Sequence, residues 1–238
     1  MNIRIDKYLA DMGMGSRTEI KNDIKKGLVF LTGNKVKSSN DKVDTSKDIV
    51  MYKGEEIKYY EYEYFLLNKP AGVISATEDN RSKTVLDLIT DCNRKDLFPV
   101  GRLDKDTEGL LLITNDGALA HELLSPKKHV DKTYYVETDA RLTEEHVKMF
   151  REGIEVDEDF VAMSATLVIQ EAEDTGSKAL LTIREGKFHQ VKRMMEAVGN
   201  TVTYLKRISM GPLKLPEDLN IGEYRRLSEE EINMLKGN

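Results

Sequence analysis

The chain contains 238 residues, which suits one large domain or a small domain followed by a larger one. Hydrophobic residues make up 39% of the sequence and charged residues 33%, a composition typical of a soluble globular protein, and the net charge of −6 argues against a protein that coats nucleic acid indiscriminately. The single cysteine, Cys92, excludes an internal disulfide and a cysteine-based metal cage, and neither a signal peptide nor an apolar run of about 20 residues is present, so we expect a cytoplasmic protein with no membrane partner.

The N-terminal region differs from the rest of the chain in charge. Residues 1–60 hold 12 Lys or Arg and 9 Asp or Glu, a local charge of +3, which leaves −9 for the remainder. A short helix ended by two glycines is predicted from apolar residues at helical spacing, namely Ile5, Tyr8, Leu9 and Met12. Residues 16–19, Ser-Arg-Thr-Glu, have the form of a capping box that begins a second helix, which ends at Gly27. A hairpin with its turn at Gly33–Asn34 follows.

The second helix presents a basic stripe, because Arg17, Lys21 and Lys25 are spaced four residues apart. The order of these elements over residues 2–50 resembles the S4 RNA-binding domain. The resemblance implies salt-sensitive docking on RNA phosphates without reading of base sequence. The cations that it assigns to this contact are Arg17, Lys21, Lys25, Lys7 and Lys26.

A polar and charged segment, residues 38–60, separates this region from the body of the chain. We therefore predict a small domain with its linker over residues 1–58 and a larger domain over residues 59–238. In the larger domain, strands are predicted at residues 63–67, 73–75, 110–114, 133–137, 162–169, 179–184 and 201–207. Helices are predicted at residues 85–90, 117–124, 143–152 and 190–198. Strands interrupted by unevenly spaced helices favour an α+β fold with a central mixed, mainly antiparallel sheet flanked by helices.

Residues 100–110 are the segment best suited to chemistry, because three acids and two cations lie among glycines at the start of an apolar strand. One interpretation is a phosphoryl-transfer loop of the type Asp-x-Asp-x-Thr. Asp104 and Asp106 fit its opening, but Glu108 stands where the threonine is required. The apolar strand also follows the acids instead of preceding them, so we set this interpretation aside.

Residues 102–110, Arg-Leu-Asp-Lys-Asp-Thr-Glu-Gly-Leu, resemble the hallmark motif of the pseudouridine synthases of the RsuA/RluA group. Three further segments are similar to motifs of that group and follow in the same order: residues 68–72 (Asn-Lys-Pro-Ala-Gly), 132–134 (Lys-Thr-Tyr) and 186–194 (Gly-Lys-Phe-His-Gln-Val-Lys-Arg-Met). The resemblance extends over nearly the whole chain. It implies an S4-like domain followed by a pseudouridine synthase catalytic domain.

The resemblance also implies a site that isomerises uridine, a reaction that breaks the N1–C1′ bond, turns the base and rejoins it through C5. Asp104 is the implied nucleophile or base at the ribose, Lys187 the cation that keeps it ionised, and Tyr134 the ring that stacks on the base. The uridine has to leave the RNA helix to reach them, and Arg102 is the candidate to hold it there. Lys69 is a further candidate RNA contact. No cofactor and no metal is expected, because the isomerisation has no net redox step and the histidines lack metal-ligand spacing.

Residues 189–194 are most similar to the RsuA branch of the group, whose members act on 16S RNA of the small ribosomal subunit, and His189 is interpreted as structural. The prediction is a monomeric enzyme whose partner is ribosomal RNA, most closely 16S RNA, free or within a small-subunit assembly particle. Two alternatives stay open: a synthase acting on 23S RNA, and a non-catalytic ribosome assembly factor that has kept the fold. Asp104, Tyr134 and Lys187 together favour the enzyme, since a pure binder has no need for an acid facing an RNA backbone.

Overall fold

The structure is a computed structural model that describes residues 1–92, 94–158 and 160–237. The chain forms two compact units: unit 1 is Met1–Glu63 with Ile89–Leu97, and unit 2 is Tyr64–Leu88 with Phe98–Asn238. The division follows Glu63, where the sequence predicts it after residue 58, and the segment Ile89–Leu97 joins unit 1 instead of the larger domain. Part of the reason is that the Arg94 guanidinium donates to the backbone carbonyl of Tyr60 at 2.6 Å, which ties this segment to unit 1.

Unit 1 consists of two helices and two small antiparallel sheets. Its elements are β1 (Asn2–Arg4), α1 (Ile5–Asp11), α2 (Arg17–Lys26), β2 (Val29–Leu31), β3 (Asn34–Lys35), β4 (Lys42–Asp44), β5 (Val50–Tyr52) and β6 (Glu55–Ile57). Strand β1 pairs with β4, and the other strands pair in the order β3-β2-β5-β6. The apolar faces of both helices pack against these strands in one core, whose fully buried members include Ile5, Leu9, Ile20 and Val29.

Helix α2 begins and ends where its sequence predicts. The Ser16 hydroxyl accepts from the Glu19 backbone N–H at 3.3 Å, and the Glu19 carboxylate accepts from the Ser16 N–H at 2.7 Å, which completes the capping box. Gly27 follows the helix at φ +77°, a conformation that glycine adopts without strain. The basic stripe lies on the outer face of the helix, and none of its members forms an ion pair with a described carboxylate; all three are exposed: Arg17, Lys21 and Lys25.

Unit 2 is built around one nine-stranded sheet. Its strands and those of a separate pair, β11–β12, are β7 (Tyr64–Lys69), β8 (Phe98–Pro99), β9 (Glu108–Thr114), β10 (Lys132–Thr138), β11 (Glu155–Asp157), β12 (Phe160–Val161), β13 (Thr166–Glu173), β14 (Gly176–Ile183), β15 (Val202–Met210), β16 (Leu213–Lys214) and β17 (Tyr224–Arg226). Its helices are α3 (Gly117–Leu124), α4 (Glu144–Glu152), α5 (Gln190–Ala197) and α6 (Glu229–Lys236).

The main path of the sheet runs β13-β14-β10-β15-β9-β7-β17, with β8 paired to β9 and β16 to β15. The β9–β15 pair is parallel, and the other pairs of this sheet are antiparallel. The predicted α+β fold with a mixed, mainly antiparallel sheet is therefore confirmed. Within the described residues, no helix is both long enough and apolar enough to cross a membrane.

Most predicted elements of unit 2 overlap the observed ones, although the strand predicted at residues 162–169 is displaced to Thr166–Glu173. Helix α3 has its predicted bounds, whereas the helix predicted at residues 85–90 is a single 3-10 turn, Leu86–Leu88. The strand predicted at residues 73–75 is wrong, because the pairing there is one isolated bridge between Ile74 and Thr84. The predictions contain no counterpart of strands β8, β11, β12, β16 and β17 or of helix α6.

Candidate active site

One cavity of about 80 Å³ in unit 2 collects the residues that the sequence assigns to catalysis. Its walls come from the loop before β9, from β10, from the segment between β14 and α5 with the first turn of α5, and from β15. The sheet order brings these segments together, because β15 lies between β10 and β9. Asp104, Tyr134, Lys187 and Arg102 all line the cavity.

The loop that carries Asp104 is held from behind by Lys69. The Lys69 side chain is fully buried at the end of β7, and its ammonium donates to three backbone carbonyls, at 3.0, 3.3 and 2.8 Å, from Pro70, Lys105 and Thr107. Burial lowers the pKa of Lys69 to about 8. The prediction that Lys69 contacts RNA is therefore wrong, since a side chain sealed from solvent cannot reach a phosphate; it fixes the loop instead.

The segment that follows Lys69 supports the same loop from another side. The Ser75 hydroxyl donates to the Leu103 carbonyl at 2.9 Å and accepts from the Leu103 N–H at 3.1 Å. The Gly72 N–H donates to the Lys105 carbonyl at 2.7 Å. Asp104 thus lies between two anchored residues, which keeps its carboxylate in one geometry.

Gly109 sets the distance between the Asp104 loop and β15. It has φ +100° and pairs with Arg207 where β9 and β15 run parallel. A Cβ atom at this position would lie 2.2 Å from the Arg207 carbonyl oxygen, so the requirement for glycine in the hallmark motif is steric.

The carboxylate of Asp104 faces an imidazole and an ammonium group of the third motif. His189 Nε2 lies 3.6 Å from Asp104 Oδ1, and Lys192 Nζ lies 3.6 Å from Asp104 Oδ2. Lys192 also donates to both carboxylate oxygens of Asp106, at 2.7 and 2.8 Å, which lowers the pKa of Asp106. The Asp104 side chain remains 24% exposed, so a ligand in the cavity can reach it.

Lys187 does not occupy the predicted place beside Asp104. Its Nζ lies 4.4 Å from the ring centroid of Phe160, and no described carboxylate comes within 4.0 Å of it. The physical reason is helical spacing: Lys192 follows His189 by three residues at the start of α5, so both side chains reach the same side, whereas Lys187 precedes the helix. The prediction that Lys187 pairs with Asp104 is wrong, and the i, i+3 spacing of His189 and Lys192 was the signal for the correct pair.

The turn before α5 orients these two side chains. His189 has φ +49°, which is uncommon for a residue other than glycine, and the exposed ring of Phe188 stacks on its imidazole at 3.7 Å. The buried Gln190 side chain accepts from the Lys187 N–H at 2.9 Å and donates to Glu185 at 2.8 Å. His189 thus lies against Asp104 in addition to its expected structural position at the start of the helix.

Tyr134 and Tyr135 have different surroundings because they lie on opposite faces of β10. Tyr134 is 7% exposed and lines the cavity, and its hydroxyl has no hydrogen-bond partner among the described protein groups. Tyr135 donates to Glu137 at 2.8 Å and packs edge-on against Tyr204. Tyr134 is therefore accessible to a ligand in the cavity, whereas Tyr135 packs against other side chains.

Comparison with known proteins identifies the family. Residues 63–197, more than half of the chain, match the model of the RNA pseudouridylate synthase family. The chain belongs to this family. A Bacillus subtilis protein named as an uncharacterized RNA pseudouridine synthase is 47% identical over 98% of each chain. The ribosomal small subunit pseudouridine synthase A of Vibrio cholerae is 40% identical over 97% of this chain and 98% of its own length.

Structural comparison agrees with this assignment to the pseudouridine synthases. A crystal structure described as a pseudouridylate synthase aligns with a TM-score of 0.69 at 34% identity and covers 98% of this chain and 99% of its own. Residues 3–50, within unit 1, match the S4 domain. The predicted order of an S4 domain followed by a pseudouridine synthase domain is therefore confirmed, and the chain is an enzyme of that class.

Three buried residues of this pseudouridine synthase cavity were not singled out from the sequence: Thr107, Lys132 and Arg207. Thr107 and Lys132 lie inside the quoted motifs, but roles were assigned only to their neighbours. Arg207 lies outside the motifs, on a strand predicted from its alternating apolar residues, and such a pattern carries no signal for a buried cation. Among the described residues, no three His, Cys, Asp or Glu side chains are grouped as a metal ion would require.

Proposed function

We propose that this synthase isomerises uridine to pseudouridine at specific positions of 16S ribosomal RNA and that Asp104 acts at the ribose. The choice of RNA is supported by the similarity to the small-subunit synthase of Vibrio cholerae, which extends over both domains. The observation that carries the chemistry is the setting of Asp104: an accessible carboxylate, 3.6 Å from the Lys192 ammonium and 3.6 Å from the His189 imidazole, on an anchored loop.

Asp104 supplies the group that the reaction needs beside the ribose. It either attacks C1′ or removes the proton of C2′, and in both routes the electron pair of the N1–C1′ bond passes to the base. The Lys192 ammonium attracts the carboxylate, and the adjacent His189 imidazole limits its orientation. After the base turns, C5 bonds to C1′ while the ester bond to Asp104 breaks or, in the other route, C2′ regains its proton. C5 then loses its proton and N1 gains one. Tyr134 faces the same cavity, and its hydroxyl forms no hydrogen bond with a described protein group. We assign Tyr134 to stack on the base and to transfer this proton.

The target uridine is everted from the RNA into the cavity, because its N1, C1′ and C5 atoms cannot be reached inside a stacked helix. Arg102 is exposed beside Asp104, and no described carboxylate lies within 4.0 Å of its guanidinium. We assign it to the RNA backbone next to the everted nucleotide or to the gap that the nucleotide leaves.

The S4 domain docks on RNA phosphates through the exposed basic stripe. Lys7 contributes less, because its ammonium already binds the Asp11 carboxylate at 2.5 Å. A 16S RNA substrate supports a cytoplasmic enzyme that meets this RNA free or in a small-subunit assembly particle.

The chemical part of the proposal is tested with tritium release from a 16S transcript labelled at C5 of uridine. We expect the variant Asp104→Asn to release tritium at least about 10³-fold more slowly than the wild type while binding the RNA within about 3-fold of it. Asp218→Asn, which alters an exposed carboxylate outside the cavity, is the control and should retain wild-type release. Unchanged release by Asp104→Asn would remove Asp104 from the reaction.

The substrate is tested by mapping pseudouridines in ribosomal RNA from cells with and without the gene. Loss of one or a few pseudouridines in 16S RNA alone is the expected result. Loss in 23S RNA would move the enzyme to the large subunit. Unchanged maps, combined with no tritium release by the purified wild type, would favour a non-catalytic assembly factor.

A further inference from the structure

Two buried cations form the floor of the cavity. Lys132 is 5% exposed and Arg207 is 2% exposed, and both line the cavity on the face that carries Tyr134. Lys132 precedes Tyr134 by two residues on β10, so their side chains lie on the same face, and Arg207 is the register partner of Tyr134 on β15. We call Lys132 and Arg207 the cationic floor.

The charges of the cationic floor have no protein counterion. Among the described residues, no carboxylate lies within 4.0 Å of either side chain. Lys132 donates to the Val130 carbonyl at 3.0 Å, and Arg207 Nε donates to the Leu110 carbonyl at 2.8 Å. Burial, with the charge of Arg207 as the next cause, lowers the pKa of Lys132.

Two polar atoms at the floor also lack partners. Arg207 Nη2 and Thr107 Oγ1 are buried and make no hydrogen bond with a described group, although both residues line the cavity. A buried polar group without a partner destabilises the fold, and two adjacent buried cations do so more strongly. Proteins retain such groups where a ligand completes them.

Charged groups of both signs line the cavity. Asp104 supplies the negative group, and the cationic floor supplies the positive one. Heterolysis of the glycosidic bond produces the complementary pattern, positive charge at C1′ of the sugar and negative charge on the base. Fixed charges that match the charges of a transition state are the main source of electrostatic catalysis.

We propose that the cationic floor binds the anionic pyrimidine base released by cleavage of the N1–C1′ bond, with Arg207 and Lys132 donating to its carbonyl oxygens. The proposal rests on the proposed function and holds for both routes at the ribose. The N1–C1′ electron pair becomes negative charge on the ring and its carbonyls, and it is withdrawn again when C5 forms the new bond to C1′. No further reactant is needed.

The geometry of uracil suits a fixed floor. Rotation of the detached ring by half a turn about the axis through N3 and C6 exchanges N1 with C5 and, at the same time, O2 with O4. Donors that hold one carbonyl before the turn therefore meet the other carbonyl after it. The floor retains the base through the step in which no covalent bond joins it to the RNA.

The binding claim is tested with 6-azauracil, a uracil analogue that loses a proton near neutral pH, titrated into the full-length protein without RNA. We expect the Kd for 6-azauracil, measured by ligand-observed NMR, to fall about tenfold between pH 6 and pH 8 as the analogue ionises. The Kd for uracil, which stays neutral over this range, should not change. Because this measurement needs no turnover, it fails or succeeds separately from tritium release, which tests the proposed function.

The variant Lys132→Met should abolish the pH gain for 6-azauracil, and Arg207→Lys should reduce it. Lys132→Met should also lower kcat for tritium release about 10²-fold with RNA affinity within about 3-fold of wild type, and its Tm should not fall, because a buried unpaired charge is removed. Lys148→Met, an exposed lysine on α4, is the control and should match the wild type. A Kd for 6-azauracil that is flat with pH in the wild type, or a pH gain that survives in both variants, would overturn the proposal. A lowered Tm with proportionate loss of RNA affinity would show that the floor is structural only.

Discussion

The two cationic regions of the cavity differ in how their charges are balanced. At the mouth, His189 and Lys192 lie 3.6 Å from the carboxylate of Asp104 and remain 42% and 20% exposed. At the floor, Lys132 and Arg207 are almost fully buried, and no described carboxylate lies within 4.0 Å of them. The lysine at the mouth therefore has carboxylate partners, whereas the two cations of the floor have none among the described residues.

This difference separates residues that hold a catalytic group from residues that await a ligand. A cation paired with a carboxylate lowers the cost of keeping that carboxylate in place, so its loss should be felt through the carboxylate. A buried cation without a carboxylate destabilises the free protein, so its loss should not lower stability and should weaken the binding of an anionic ligand or of the reacting base. Lys69 is a third case, a buried cation balanced by three carbonyl dipoles, and it serves the loop rather than the cavity.

The largest effect among the predictions for the mouth is expected from Lys192→Met. Removal of the cation beside Asp104 should lower kcat/KM for tritium release by about 10²–10³-fold, the loss typical of one preorganised electrostatic contact. Lys192→Arg should recover most of the activity, because it keeps the charge. RNA affinity, measured in parallel, should change by less than about 3-fold.

Lys187→Met is the matched control for this experiment, since it removes the same charge from the same cavity at a residue that has no described carboxylate within 4.0 Å. We expect kcat/KM for tritium release to fall by less than about tenfold, because the exposed Lys187 side chain lines the cavity without a described carboxylate partner. Equal losses from Lys187→Met and Lys192→Met would contradict the assignment of Lys192 as the partner of Asp104.

The second prediction concerns Gly109, where the Asp104 loop and the floor strand β15 approach each other. Gly109→Ala should lower the free energy of unfolding by about 3 kcal/mol, because the new Cβ meets the Arg207 carbonyl at 2.2 Å and alanine is strained at φ +100°. Urea denaturation measures the loss. Gly222→Ala is the control, as Gly222 has φ +86° with no atom within 4 Å of the added Cβ, and should lose only about 1 kcal/mol. Similar losses at both positions would show that strain alone, and not the close approach of the strands, makes Gly109 necessary.

Much of the architecture could be predicted from the sequence, because many helices and strands of this chain are marked by local patterns of apolar and capping residues. The capping box at Ser16, the apolar face of α5 and the strand before Thr114 each follow from the spacing of neighbouring residues. The motif loop at Asp104 was found in the same way, through a short run of charged residues ahead of an apolar strand.

What local patterns could not supply was the direction in which a lysine points. Four lysines lie in or beside the quoted motifs but have different surroundings. Lys69 is buried behind the Asp104 loop, and Lys187 lies against the Phe160 ring. Lys192 pairs with Asp104, and Lys132 belongs to the cationic floor. These positions are decided by the packing of β7, β9, β10 and α5, which are far apart in sequence. The assignment of Lys187 and of Lys69 failed for this reason.

The third prediction uses the pH dependence of Lys69. Its pKa is lowered to about 8 by burial, while the unfolded chain keeps the ordinary value near 10.5. Between these two pH values the unfolded state binds more protons than the folded state, so the free energy of unfolding rises with pH. Relative to Lys69→Met, the wild type should therefore gain stability from pH 7 to pH 10. We expect the free energy of unfolding to rise by about 2 kcal/mol, because the three carbonyl acceptors offset part of the free-energy cost of burying the ammonium group.

Chemical denaturation of the wild type and Lys69→Met at several pH values measures this difference. Lys105→Met is the control, because its exposed side chain belongs to the same loop and the side-chain charge is lost without change to the Lys105 carbonyl that accepts from Lys69. The wild type and Lys105→Met should differ by a constant amount across the range. A difference between the wild type and Lys69→Met that stays constant or falls with rising pH would contradict the buried, carbonyl-bound state of Lys69.

The smallest effect extends the comparison to unit 1, where the basic stripe is also unpaired but fully accessible. Exposed cations cost the fold almost nothing, so replacing Arg17, Lys21 and Lys25 with Gln should leave the free energy of unfolding within about 0.5 kcal/mol. The same replacement should reduce the slope of log K for RNA binding against log salt by about 2, because each lost phosphate contact removes the release of one counterion. The control is the replacement of Arg141, Lys148 and Lys178 with Gln in unit 2, where the first and last already bind Asp174 and Glu171 at 2.9 and 2.7 Å. Equal salt slopes for the two triple variants would mean that the number of cations governs docking. A smaller slope for the stripe variant alone would mean that cations without a carboxylate partner are the ones that contact RNA, as in the floor of the cavity.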